Sequence, residues 1–123
     1  MAITYGIDKD HGLVRRIMSG VVTVQELSAY IHALSSEQAF SPACNELCDL
    51  RGVEGMKMNY SDMQAVIAEC PFNKGSCRAF VAENDFGYGM SQMFRGIAAG
   101  EHGTIEVFRH LHEAEQWLDS GKC

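Results

Sequence analysis

Apolar and polar residues alternate singly in some stretches of the chain and return every three or four positions in others. Ile3, Tyr5 and Ile7 alternate with Thr4, Gly6 and Asp8, the pattern of a half-buried strand. Lys9-Asp10-His11-Gly12 is a turn signal, and residues 13–18 are apolar and β-branched enough for a second strand. So short a connection predicts an antiparallel hairpin. Thr23 and Glu26 then form a capping-box pair, and Val24, Leu27, Ile31 and Leu34 recur at helical spacing, which predicts a helix ending near Ser35.

Residues 46–50 read as a short strand, followed by a long loop over 51–60. Ser61 and Gln64 supply a second capping-box pattern, with Ser61 as helix N-cap, and Met63, Val66, Ile67 and Cys70 form one helical face. Residues 77–82 read as a buried strand. Residues 88–99 read as a helix with Met90, Met93, Phe94 and Ile97 on one side. A strand over 104–108 and a helix over 113–118, with Ala114, Trp117 and Leu118 inward, complete the pattern. The order β-β-α-β-α-β-α-β-α predicts one mixed sheet of about five strands, parallel except for a hairpin strand at one edge, with all four helices packed on it.

The 123 residues fit one domain, residues 1–123, large enough for a real core. A net charge of −6 argues against nucleic acid and against an anionic membrane surface as partners. Arg15-Arg16, a local basic spot, reads as a solvated strand face. No apolar stretch reaches the length of a membrane span, and residues 1–10 lack signal-peptide character, so a cytoplasmic protein is expected. Five cysteines, an odd number, then read as reduced thiols rather than a disulfide framework.

In open α/β sheets ligands bind beyond the carboxyl ends of the parallel strands. Three segments should meet there: Asp49 and Arg51 leaving the third strand, Tyr60 and Ser61 entering the second helix, and Tyr88, Gly89 and Met90 at the start of the third. These seven residues are the candidate binding set. Gly87-x-Gly89 offers a phosphate cradle in principle, but Gln92 stands where a dinucleotide fingerprint needs glycine, and a tight turn with close helix packing explains the glycines as well. Asp49 and Arg51 read either as a salt bridge pinning the loop or as ligand contacts. His102, His110 and His112 read as surface histidines, with no metal or cofactor implied. No nucleophile with a paired base is recognisable, so no enzyme is expected. Met56, Met58, Met63, Met90 and Met93 raise an apolar cleft or a dimer surface between the second and third helices.

Gly20-Val21-Val22-Thr23-Val24-Gln25-Glu26-Leu27, Phe40-Ser41-Pro42, Asp49-Leu50-Arg51-Gly52-Val53, Tyr88-Gly89-Met90-Ser91-Gln92-Met93-Phe94, and Val107-Phe108 with Ala114, Trp117 and Leu118 resemble the SpoIIAA-like proteins. These are small bacterial α/β proteins related to the STAS domain. The resemblance implies a non-enzymatic binding or regulatory module. Anti-sigma-factor antagonists of that fold act by protein binding, switched by phosphorylation of a serine at the start of the helix after the third strand. Ser61 is the nearest match, but Asn59-Tyr60-Ser61-Asp62 replaces their Asp-Ser-Ser-Gly type motif. The fold is also similar to CRAL-TRIO lipid-binding domains, which suits a methionine-lined pocket. The expected partners are therefore a second copy of the chain in a homodimer, another protein, or a small apolar ligand.

Overall fold

The computed structural model describes residues 2–121 and 123. The elements follow the predicted order: β1 (Ile3–Asp8), β2 (Leu13–Thr23), α1 (Val24–Ser35), β3 (Asn45–Lys57), α2 (Tyr60–Ala68), β4 (Cys77–Val81), α3 (Asp85–Ala98), β5 (Thr104–Phe108) and α4 (Leu111–Ser120). The five strands form one sheet in the order β1-β2-β3-β4-β5. β1 is antiparallel to β2, and the other three pairings are parallel.

Each parallel strand is added on the same side of its predecessor, so right-handed crossovers place α1, α2 and α3 on one face. Their buried residues, among them Leu27, Leu34, Met63, Val66 and Phe94, join Val14, Met18, Cys48, Leu50 and Phe80 of the sheet in the larger core. α4, which follows β5, folds onto the opposite face. There Ala114, Leu47, Ala79 and Val81 make a second, smaller core. α4 lies against β3, β4 and β5. On that same face of β2, Ile17 is 55 % exposed and Val21 46 %.

Several boundaries differ from expectation. β3 continues to Lys57 where a loop was predicted, because β2 itself runs on to Thr23 and holds it in parallel register as far as Thr23 opposite Lys57. Local composition, rich in glycine and charge over 51–57, hides a strand that its neighbour imposes. Register shifts fall between Ile17 and Ser19 and between Gly20 and Val21. Gly20 has a φ of 67°, a left-handed conformation that glycine takes without a Cβ clash. α2 is capped by Asn59 rather than Ser61: the Asn59 side chain accepts from the Asp62 amide, and the Asp62 carboxylate accepts from the Asn59 amide. α3 begins three residues before the predicted start, with Asn84 as its cap accepting from the Gly87 amide at 2.7 Å. Gly87 and Gly89 are therefore helical and do not form a cradle loop. A Cβ on Gly87 would lie 3.3 Å from the Ala82 side chain, so this glycine allows the helix to seat closely, whereas Gly89 faces open space.

The cysteines also depart from expectation. Cys77 at the start of β4 and Cys123 form a disulfide, with 5.7 Å between their Cα atoms. Residues 46 positions apart are brought within bridging distance by the fold, which spacing along the chain does not reveal. Cys44, Cys48 and Cys70 are free.

Candidate functional site

The feature with most chemical content lies inside the larger core. Along β2 the inward positions are Val14, Arg16, Met18 and Val22, so period-2 alternation carries Arg16 into the interior, 5 % exposed, while Arg15 stays outside. The expectation of a solvated basic spot therefore holds for Arg15 alone. Glu46 occupies an inward position of β3 and is fully buried, and Arg78 on β4 stands directly opposite it. Glu46 Oε1 accepts from Arg16 Nη2 at 3.2 Å and from Arg78 Nε at 3.0 Å, and Oε2 accepts from the Tyr30 hydroxyl at 2.8 Å. Arg78 also donates to the His102 carbonyl.

Aromatic rings cover both guanidinium groups. Arg16 lies 4.7 Å from the Tyr30 ring centre, Arg78 lies 4.7 Å from that of Phe72, and both lie 5.6 Å from Phe80. Burial alone would push the Glu46 carboxyl up, but the two guanidinium groups and the Tyr30 hydroxyl outweigh it, and the net shift is down. Burial pushes the Cys48 thiol up to about 12. Burial and the Glu46 carboxylate raise Tyr30 too, so both groups are neutral at physiological pH.

A cavity of ≈ 30 Å³ lies between the sheet and the three-helix layer, bordered by Arg16, Arg78, Tyr30 and Cys70 and by apolar side chains such as Leu50 and Phe94. Among the described residues Met18 is the one methionine in its wall. Among the described residues two buried side-chain polar atoms have no hydrogen-bond partner, Arg16 Nε and Ser91 Oγ, and only Arg16 borders this cavity.

The seven residues of the predicted set divide between the two faces of the sheet. Asp49 lies on the α4 side, in phase with Leu47. Its carboxylate takes a bidentate contact from Arg51, 2.9 Å from Nε to Oδ1 and 2.8 Å from Nη2 to Oδ2, and a third bond from the Arg51 amide. Burial opposes the Asp49 charge, but these bonds hold the carboxyl below its usual range. Tyr60 and Ser61 are exposed on the first turn of α2. On α3, Tyr88 is half-buried with the Arg109 guanidinium 4.1 Å from its ring centre, Gly89 is exposed, and Met90 packs against the larger core. Met93 and Phe86, also on α3, are exposed. His110 and His112 have ring centres 6.1 Å apart, and His102 pairs through Nδ1 with the Phe72 carbonyl. Among the described residues no group of three metal-ligating side chains forms.

The Arg16–Glu46–Arg78 cluster was missed because each residue was weighed alone. Its signal was parity: Arg16 is in phase with Val14 and Met18, and Glu46 with Cys48 and Leu50. Opposite charges at inward positions of adjacent strands imply a buried pair.

A five-stranded mixed sheet with this order and helix placement is the SpoIIAA-like α/β fold. An uncharacterised protein of the DUF3478 family with a SpoIIAA-like fold, from Shewanella loihica PV-4, superposes with a TM-score of 0.67 at 15% identity, over 95% of this chain and 94% of that one. An anti-sigma factor antagonist from Mycobacterium paratuberculosis superposes with a TM-score of 0.55, also at 15% identity, over 95% and 94%. No family model and no curated protein sequence matches the chain. Among the described residues no helix is long and apolar enough to cross a membrane.

Proposed function

We propose that this chain is a non-enzymatic regulatory module that works through protein contact, with a second copy of itself as the first partner. The observation that carries this reading is the uncovered part of the α4 face, where Ile17 and Val21 project from β2 into solvent. Water disfavours such side chains, and burying them between two copies removes that cost. Both signs of charge border the patch, since Arg15 pairs with Glu115 of α4 at 3.8 Å. A two-fold contact places the same surface on both partners and matches such a border to itself. The name of the mycobacterial neighbour, an anti-sigma factor antagonist, describes a protein that acts on another protein, and this chain shares its fold.

The interior supports a non-enzymatic reading. Glu46 is engaged by both arginines and by Tyr30, and Cys48 is held as a thiol. The second reading, a carrier of apolar molecules, finds an apolar wall but little room. Its cavity is ≈ 30 Å³, against roughly 300–1,000 Å³ for typical small-molecule sites.

Light scattering on the purified full chain tests the proposal. A dimer mass is expected, falling to a monomer in the Ile17→Lys/Val21→Lys double variant with the circular-dichroism spectrum of the fold preserved. A monomer mass at every concentration, or a dimer that ignores the double substitution, would overturn it.

A further inference from the structure

We propose that the cavity beside Arg16 is a binding site for a small monovalent anion, a halide or a short carboxylate such as formate. The argument begins with a count of charge. Arg16 and Arg78 carry two positive charges, Glu46 carries one negative charge, and none of the three is more than 6 % exposed. Tyr30 and Cys48 remain neutral, so the cluster holds one positive charge without a partner. A buried ion retains a desolvation cost even after relaxation. Cation–π contact with the three rings offsets only part of that cost.

Hydrogen bonding locates the deficit on Arg16. Arg78 uses Nε on Glu46 and Nη1 on the His102 carbonyl. Arg16 uses Nη2 on Glu46, and its Nε has no partner. The Cys48 thiol stands opposite Arg16 in the sheet register and takes a side-chain hydrogen bond from its guanidinium, but sulfur is a weak acceptor.

Size then selects the ligand. At ≈ 30 Å³ the cavity has room for about two waters or one small anion. Water would not neutralise the charge, and it needs two to four polar partners. Here most of the wall is hydrocarbon, and the Tyr30 hydroxyl is already committed to Glu46. An anion neutralises the charge, in a medium where its bond to a guanidinium is strong.

Thermal unfolding of the full chain tests this at constant ionic strength, with sodium gluconate, too large for the cavity, exchanged for chloride, bromide or formate. The small anions should raise the midpoint saturably, by about 4–8 °C at a tenfold excess over Kd. Arg16→Met should abolish that dependence. Should that variant not fold, bromide-soaked crystals decide, with an anomalous peak expected in the cavity beside the Arg16 guanidinium. A midpoint that follows ionic strength alone, or bromide confined to the surface, would overturn the proposal. So would bromide in the cavity without any solution effect, since it would then be an adventitious ion only.

Discussion

On the face covered by α1, α2 and α3, β2 contributes Val14, Arg16, Met18 and Val22, all buried; on the other face the same strand contributes Arg15, Ile17 and Val21, all exposed. A guanidinium is hidden and two branched aliphatic side chains are open to water. Burial here follows strand parity and helix coverage before it follows the character of each residue. The hidden charge is tolerated because adjacent strands bring Glu46 and Arg78 to matching positions and α1 supplies Tyr30. The open aliphatics remain because α4 reaches β3 to β5 and leaves this part of β2 uncovered.

Removing the carboxylate attacks the first half of this contrast most directly. Glu46→Ala leaves two buried guanidinium groups facing each other, and urea titration should show a loss of about 3–5 kcal/mol. A loss below about 1 kcal/mol would mean that water already reaches the cluster and that the two faces differ less than their exposure implies. Cys123→Ser, which opens the bridge to Cys77, should cost about 2–4 kcal/mol under non-reducing conditions and nothing further under reducing ones.

Acid provides the next test. The folded Glu46 carboxyl lies below its ordinary value of 4.5, so its contribution is fully present above that value and is lost as pH falls through the folded pKa. Asp49, held down by Arg51, adds in the same direction. Thermal midpoints should therefore drop on acidification below about pH 4.5, and Glu46→Gln should flatten that limb. A limb unchanged in Glu46→Gln would place the acid sensitivity on the exposed carboxylates instead.

The smallest effect belongs to the exterior. Arg51→Ala, which breaks an exposed contact on the α4 side, should change stability by less than about 1 kcal/mol despite its bidentate geometry. Comparing it with Glu46→Ala measures how much burial multiplies the weight of an ion pair on one sheet.

Hydrophobic period alone specified the element types and their order, since apolar spacing of two or of three to four is a local property. Thr23 with Glu26 marked the start of α1 correctly, because a capping box lies within four consecutive residues. The reach of β3 to Lys57 was not local, since β2 imposes it across the sheet. The choice of Asn59 over Ser61 as cap was also undecided in the chain, where both are good caps. The helix that forms takes Asn59 and Asp62 as its capping pair while burying Met63, Val66 and Ile67. The candidate set was placed at the carboxyl ends of the strands by a rule of topology. That rule does not say which sheet face each side chain takes, and Asp49 stands on the face opposite the three helices.

The sequence by itself determined the order of five strands and four helices, because period and turn signals are encoded within a few residues of one another. Only the tertiary structure decided that Arg16 is interior and Ile17 exterior, that Cys77 meets Cys123, and that Glu46 sits between two arginines. Those outcomes depend on strand register and on where α4 stops. Both are set by contacts between residues some 30 or more positions apart, which no local pattern records.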